Sequence, residues 1–312
     1  MFYVATLISH PERPAVTEAL ADKAARYLPH GRAVGWLASR VAMDIPFLID
    51  DIEDGALGAG EERALLKDLA GDLRDIIGGE PVDVVVQRHE GRRKKLLVAD
   101  MDSTMIGQEC IDELADYAGH KSRVAAITER AMRGEIGFAP ALRERVALLK
   151  GLSATVIDTV IAERIRLTPG GRTLVATMRA HGAYTCVVSG GFTAFTSRIA
   201  AMIGFDEERA NTLLINADGQ LSGEVAAPVL GREAKLATLI ALRERLRLSD
   251  EDTLAIGDGA NDIPMIEAAG LGVAFHGKPA IREVAAACID HGDLSALLYA
   301  QGYRREEFVE EV

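Results

Sequence analysis

Two aspartates, Asp100 and Asp102, directly follow the apolar run Leu96-Leu97-Val98-Ala99 and directly precede Ser103 and Thr104. A Leu, Val and Ala run reads as a buried parallel strand. Carboxylates beyond its C-terminal end sit in the crevice where α/β folds place their chemistry. Asp, Ser and Thr are also ordinary turn and helix-capping residues, so this window alone leaves both readings open.

Three further polar sites fall at strand ends or helix starts. Tyr184 to Val188 reads as a strand that runs into Ser189-Gly190-Gly191; the glycines allow close backbone approach, and a following helix supplies N–H groups for an anion. A simple Ser-Gly-Gly turn is the competing explanation. Thr253 to Ile256 likewise runs into Gly257-Asp258-Gly259-Ala260-Asn261-Asp262. Asp258 could join Asp100 in holding a hard cation such as Mg²⁺, and a cation removes the repulsion of carboxylates gathered in one crevice. Lys235 stands near the start of a helix leading toward the Asp258 strand, where its charge could neutralise phosphate oxygens; most helical lysines are simply solvated.

The elements that must position these residues divide in two. Residues 1–88 read as βαββαβ: a strand Phe2 to Ile8, a helix Pro14 to Leu28, short strands Ala33 to Leu37 and Ala42 to Leu48, an acidic Gly-containing loop, a helix Glu61 to Ile77 and an alternating strand Val82 to Val86. That order is the ferredoxin-like split arrangement. Residues 89–95 are basic and polar without apolar period, and read as a linker. Beyond the strand at Leu96, four helical segments (109–118, 122–133, 138–150 and 154–165) form an insertion. Strand and helix then alternate: helix 171–181, strand 184–188, helix 193–203, a hairpin around Asp218-Gly219, helix 232–246, strand 253–256, helix 263–269 and strand 272–275. The expected class is α/β with a parallel sheet.

At 312 residues the chain suits about two domains, and 48% hydrophobic residues supply their cores. A net charge of −12 gives no general attraction to nucleic acid or anionic membranes. No apolar stretch approaches the ~20 residues of a membrane span, so a cytoplasmic location is expected. Cys110, Cys186 and Cys288 form no CxxC pair and suggest free thiols.

Asp100-x-Asp102-x-Thr104, Ser189, Lys235 and Gly257-Asp258-x-x-Asn261-Asp262 resemble the four ordered motifs of the haloacid dehalogenase superfamily, over roughly residues 95–295. The resemblance implies a Rossmann-like core over 96–312 with a small helical cap, of the type called C1, at about 108–167. More narrowly, Asp102-Ser103-Thr104 followed by Glu109, the segment from Phe138 through Leu142-Arg143-Glu144-Arg145-Val146, and Val188-Ser189-Gly190-Gly191-Phe192 are similar to the phosphoserine phosphatases of that superfamily. That likeness implies Mg²⁺-dependent hydrolysis of O-phosphoserine. Asp100 would be the nucleophile and form an aspartyl-phosphate, and Asp102 the general acid and base. Mg²⁺ would be held by Asp100, the Asp102 carbonyl and Asp258, and the phosphoryl oxygens by Ser189, Gly190 and Lys235, with Asn261, Asp262 and Thr104 in support. Glu109 and Arg145 would meet the ammonium and carboxylate of the substrate, and Phe138 would wall the pocket or sit in the core. The N-terminal unit resembles a divergent ACT domain, which implies an amino-acid effector or pairing into a homodimer. Alternatives are a phosphatase for another small phosphomonoester, or an inactive amino-acid-sensing regulator.

Overall fold

The computed structural model of the chain describes residues 1–32, 35–49, 58–133 and 135–310. The N-terminal unit runs β1 (Phe2–Ser9), α1 (Glu18–Tyr27), β2 (Gly35–Ala38), β3 (Ala42–Leu48), α2 (Ala59–Ile77) and β4 (Val82–Arg88). Its strands form one antiparallel sheet in the order β2-β3-β1-β4. Helix α1 begins at Glu18 rather than at Pro14, because the Thr17 hydroxyl accepts the Leu20 N–H and caps it there. Ala33, the expected start of the second strand, and most of the expected acidic loop lie outside the described residues.

Alternation along β1 sorts its side chains between two cores. Tyr3, Ala5 and Leu7 pack with Ala21, Ala24, Leu73 and Ile77 of the two helices, while Ile8 joins the larger core of the rest of the chain. The N-terminal sheet is therefore covered on both faces. The polar members of β4 point at an interface: Asp83 accepts the N–H groups of Asp290, His291 and Gly292, and Gln87 donates to the Ala300 carbonyl at 2.6 Å. Residues 89–95 are pinned rather than loose. Arg92 pairs with Asp44, the Lys94 N–H donates to Gln301, and the buried Lys94 ammonium donates to the Gly91 and Glu251 carbonyls.

The remainder comprises β5 (Leu96–Ala99), α3 (Cys110–Tyr117), α4 (Lys121–Met132), α5 (Phe138–Ala147), α6 (Val156–Glu163), α7 (Gly171–Ala180), β6 (Tyr184–Phe192), α8 (Thr193–Ile203), β7 (Glu207–Asn211), β8 (Leu213–Ile215), β9 (Leu221–Val225), α9 (Arg232–Leu246), β10 (Thr253–Gly257), α10 (Ile263–Ala268), β11 (Leu271–Phe275), α11 (Pro279–Val284), β12 (Ala287–Ile289) and α12 (Ala296–Ala300). Six of these strands form a parallel sheet in the order β12-β11-β10-β5-β6-β7. Its central strands are mostly apolar because both faces are buried: Leu97, Ala99, Leu254 and Ile256 face one core, and Leu96, Val98 and Ala255 the other. The chain leaves β5 toward β6 and β7, then returns to build β10 to β12 on its other side. That reversal opens a crevice at the carboxyl ends of β5, β6 and β10.

Helices α3 to α6 form the insertion over this crevice. Its entry and exit segments meet in an antiparallel bridge between Ile106 and Leu167. The β8-β9 hairpin braces it, with Ala154 donating to the Gly219 carbonyl and Leu221 to the Leu152 carbonyl. One reading of the sequence differs from the structure here, and one strand went unread. Strand β6 continues through Phe192, so Ser189-Gly190-Gly191 is a bulged extension of the strand rather than a turn beyond it. β7, with the polar sequence Glu-Glu-Arg-Ala-Asn, gives no apolar signal because it is an edge strand. No helix of the described residues is long and apolar enough to cross a membrane.

Candidate active site

Asp100 follows β5 and is buried, with its Oδ1 2.6 Å from the Lys235 ammonium. The chain then makes one wide turn over Met101 to Met105 in which Ser103 takes a left-handed φ of +58°. This turn separates the two carboxylates. Asp102 has other partners: its Oδ1 accepts the Cys110 N–H at 2.8 Å and so binds the start of α3, while its Oδ2 accepts the Ser189 hydroxyl at 2.9 Å. The Ser189 oxygen also accepts the Gly191 N–H at 2.8 Å. A Cβ on Gly191 would stand 3.0 Å from both Asp102 and Ser189, so glycine permits this contact between β5 and β6.

Lys235, near the start of α9, is fully enclosed between Asp100 and Asp262, at 2.5 Å from the latter. Burial disfavours its charge, but the two carboxylates more than offset that and hold the ammonium above its ordinary value. Asp262 is fixed in turn by the Gly259 N–H at 3.1 Å, and a Cβ on Gly257 would lie 2.4 Å from its side chain. Asp258, at the end of β10, holds the Lys278 ammonium at 2.9 Å. Asp100, Asp258 and Asp262 present carboxylate oxygens within 4.8 Å of one another. Burial first, and then the charge of Asp262, push the Asp100 carboxyl well above the usual carboxylate range.

The donor set fits a divalent cation. Three buried carboxylates gathered against their own repulsion are stabilised by added positive charge, and oxygen ligands suit Mg²⁺. Asp262 is committed to Lys235 and Gly259, which leaves Asp100 and Asp258 as the carboxylates available to a cation.

The remaining sequence candidates sit around this centre. Glu109 stands at the start of α3, accepts the Ser103 hydroxyl at 2.8 Å, and is pushed up to about 7 by desolvation in the crevice and then by Asp102. Its side chain reaches the surface, and it is the surrounding carboxylates and walls that disfavour its charge. Arg145 on α5 is half-buried and held by Thr128 Oγ1 and the Ala141 carbonyl, both at 3.3 Å; it feels the charges of Asp112 and Glu109. Phe138, the first residue of α5, lies against the crevice and not in the core: a Cβ on Gly190 would meet its ring at 3.1 Å, and one on Gly231 at 3.3 Å. Thr104 is fully buried with an unpartnered hydroxyl, and Asn261 is exposed beside Gly259 without a side-chain hydrogen bond.

Two residues escaped the sequence reading. Asn211 donates to the carbonyls of Gly190 and Leu230 and accepts the Leu230 N–H, tying the Ser189 bulge to the segment that leads into α9. Lys278 sits opposite Asp258. Its one sequence signal is the Gly277-Lys278-Pro279 turn after an apolar strand.

The sequence pattern of the haloacid dehalogenase-like hydrolases matches residues 97–267. A phosphoserine phosphatase from Streptomyces coelicolor is 39% identical over 302 residues, spanning 97% of this chain and 71% of its own length. The solved structure of a HAD family hydrolase from Salmonella enterica superposes with a TM-score of 0.77 at 28% identity, over 96% of this chain and 98% of that one. A phosphoserine phosphatase solved as a phospho-aspartyl intermediate analogue superposes with a TM-score of 0.61 at 40% identity, over 66% of this chain and 98% of its own.

Proposed function

The chain belongs to the phosphoserine phosphatases of the haloacid dehalogenase-like hydrolases, and on that premise we propose that it hydrolyses O-phospho-L-serine to L-serine and phosphate through an aspartyl-phosphate at Asp100. The observation that carries this reading is the division of labour between two carboxylates two residues apart. Asp100 faces the Lys235 ammonium and the Asp258 carboxylate, while Asp102 is turned to Ser189 and the start of α3.

An Asp100 oxygen attacks phosphorus in line, the P–O bond to the seryl oxygen breaks, and Asp102 delivers its proton to that oxygen. Asp102, now ionised, takes a proton from a water that attacks the phosphoryl group; phosphate leaves and Asp100 is regenerated. Ser189, the Gly190 N–H and Lys235 hold the phosphoryl oxygens, and Asp262 keeps Lys235 aimed at them. Asp100, the Asp102 carbonyl and Asp258 would hold a Mg²⁺, which would supply neutralising charge for the phosphoryl oxygens.

Glu109 and Arg145, on the cap side, receive the ammonium and carboxylate of the amino acid. Phe138, seated against Gly190 and Gly231, excludes water from the phosphoryl group when the cap is down. We read the N-terminal βαββαβ unit as an ACT-like module for pairing or effector binding, on its antiparallel 2-3-1-4 order.

The test is phosphate release from O-phospho-L-serine with Mg²⁺, repeated with excess EDTA. Turnover that EDTA abolishes and added Mg²⁺ restores is the expected result. Release from a simple aryl phosphate but not from phosphoserine would retain the chemistry and reject the substrate.

A further inference from the structure

A cavity of about 460 Å³ opens where the N-terminal unit meets the carboxyl ends of β11 and β12, on the side of β10 away from β5 and β6. That volume is in the range of small-molecule sites. Four basic side chains line it: His10 and Arg13 from the segment between β1 and α1, His276 after β11, and His291 after β12. Among the described residues, Arg13, His276 and His291 have no side-chain hydrogen bond or ion pair, and His10 uses only Nδ1, which accepts the Glu12 N–H. His276 is held at a left-handed φ of +44°, a conformation uncommon outside glycine and frequent at ligand sites.

The lining also holds two carboxylates: Asp290 is paired with Arg282, and Asp293 Oδ1 accepts the hydroxyl and N–H of Ser295. The Arg13 guanidinium and three imidazoles give the wall several donors for an anion. It is no metal centre, since among the described residues the cluster of potential ligands lies at Asp100, Asp258 and Asp262.

We propose that this cavity is a second binding site, distinct from the catalytic crevice, for a compact dianion whose charge is carried by a phosphate group or by two carboxylates. Arg13 supplies the bidentate contact, and His10, His276 and His291 supply the surrounding donors. The loop that presents His276 continues to Lys278, which pairs with Asp258, so the bound anion braces one wall of the catalytic crevice.

Isothermal titration of the full chain tests this, in EDTA-containing buffer and in a Ser189→Ala background that weakens the phosphoryl seat. The probes are inorganic phosphate and malonate, with L-serine for comparison. One site for at least one dianion is expected, weakened at least tenfold by Arg13→Gln with His291→Gln, while any heat from L-serine is left unchanged by that double variant. Binding of phosphate alone assigns a phosphorylated ligand, and of malonate alone a dicarboxylate. The proposal is overturned if neither dianion binds below about 10 mM, if the double variant binds as tightly as its parent, or if the double variant weakens L-serine as much as it weakens the dianion. Thermal melts establish that the double variant is folded. Should it not be, Arg13→Gln alone, at an exposed and unpartnered side chain, is expected to weaken binding about threefold.

Discussion

Asp100 and Asp102 share a side chain and differ in everything around it. One is buried against an ammonium, and the other caps a helix and accepts a serine hydroxyl. Their amides should therefore fail differently. Asp100→Asn should form no phosphoenzyme and lose at least about 10⁴-fold in turnover. Asp102→Asn should both form and hydrolyse the phosphoenzyme about 10²–10⁴-fold more slowly, as rapid-quench measurement with labelled substrate would show. Arg145→Ala should raise KM for phosphoserine about 10- to 100-fold, the worth of one charge-assisted hydrogen bond, with kcat nearly unchanged; an unaltered KM would remove Arg145 from substrate recognition. Asp100, Asp102, Ser189, Lys235 and Asp258 were legible because each stands beside a strand end or helix start that local pattern marks. Asn211 was not, because its work is done on Gly190 and Leu230, 21 and 19 residues away, and no local pattern encodes such a bond.

At the level of elements, strand ends and glycines determine how closely the polar groups approach. Gly257 closes β10 with Asp262 packed directly over its α-carbon. Gly257→Ala should drive Asp262 off Lys235, lowering turnover at least about 10²-fold while costing about 1–3 kcal/mol of stability through overpacking, as paired kinetics and thermal melts would report. Normal turnover in that variant would show that Asp262 does not position Lys235. Helix α9 was read to the residue, and α2 to within two residues at its start. The short β12 and α12, of three and five residues, and the polar edge strand β7 were not, because too few residues repeat for a period to emerge and tertiary pairing supplies their stability.

Across the whole molecule, the N-terminal sheet is fused to the catalytic half through buried polar contacts and not merely tethered to it. Asp83 alone receives three backbone N–H groups from residues 290–292. Asp83→Ala leaves those donors without a partner and should cost about 2–3 kcal/mol, seen as a lower Tm, with turnover on phosphoserine within about twofold of the parent. An unchanged Tm would mean that apolar packing alone joins the halves.

The order of chemical groups along the chain, the apolar runs that carry them to strand ends, and the division into βαββαβ and parallel-sheet halves were written in the sequence, because period and residue type act over a few neighbours. Tertiary structure decided which carboxylate faces which cation, that the alternating face of β4 meets protein instead of water, and that Phe138 closes onto Gly190. Those outcomes depend on approach between segments tens to hundreds of residues apart. The pair beginning with Asp100 was visible as two equal carboxylates, and one left-handed residue, Ser103, lies in the turn that makes them unequal.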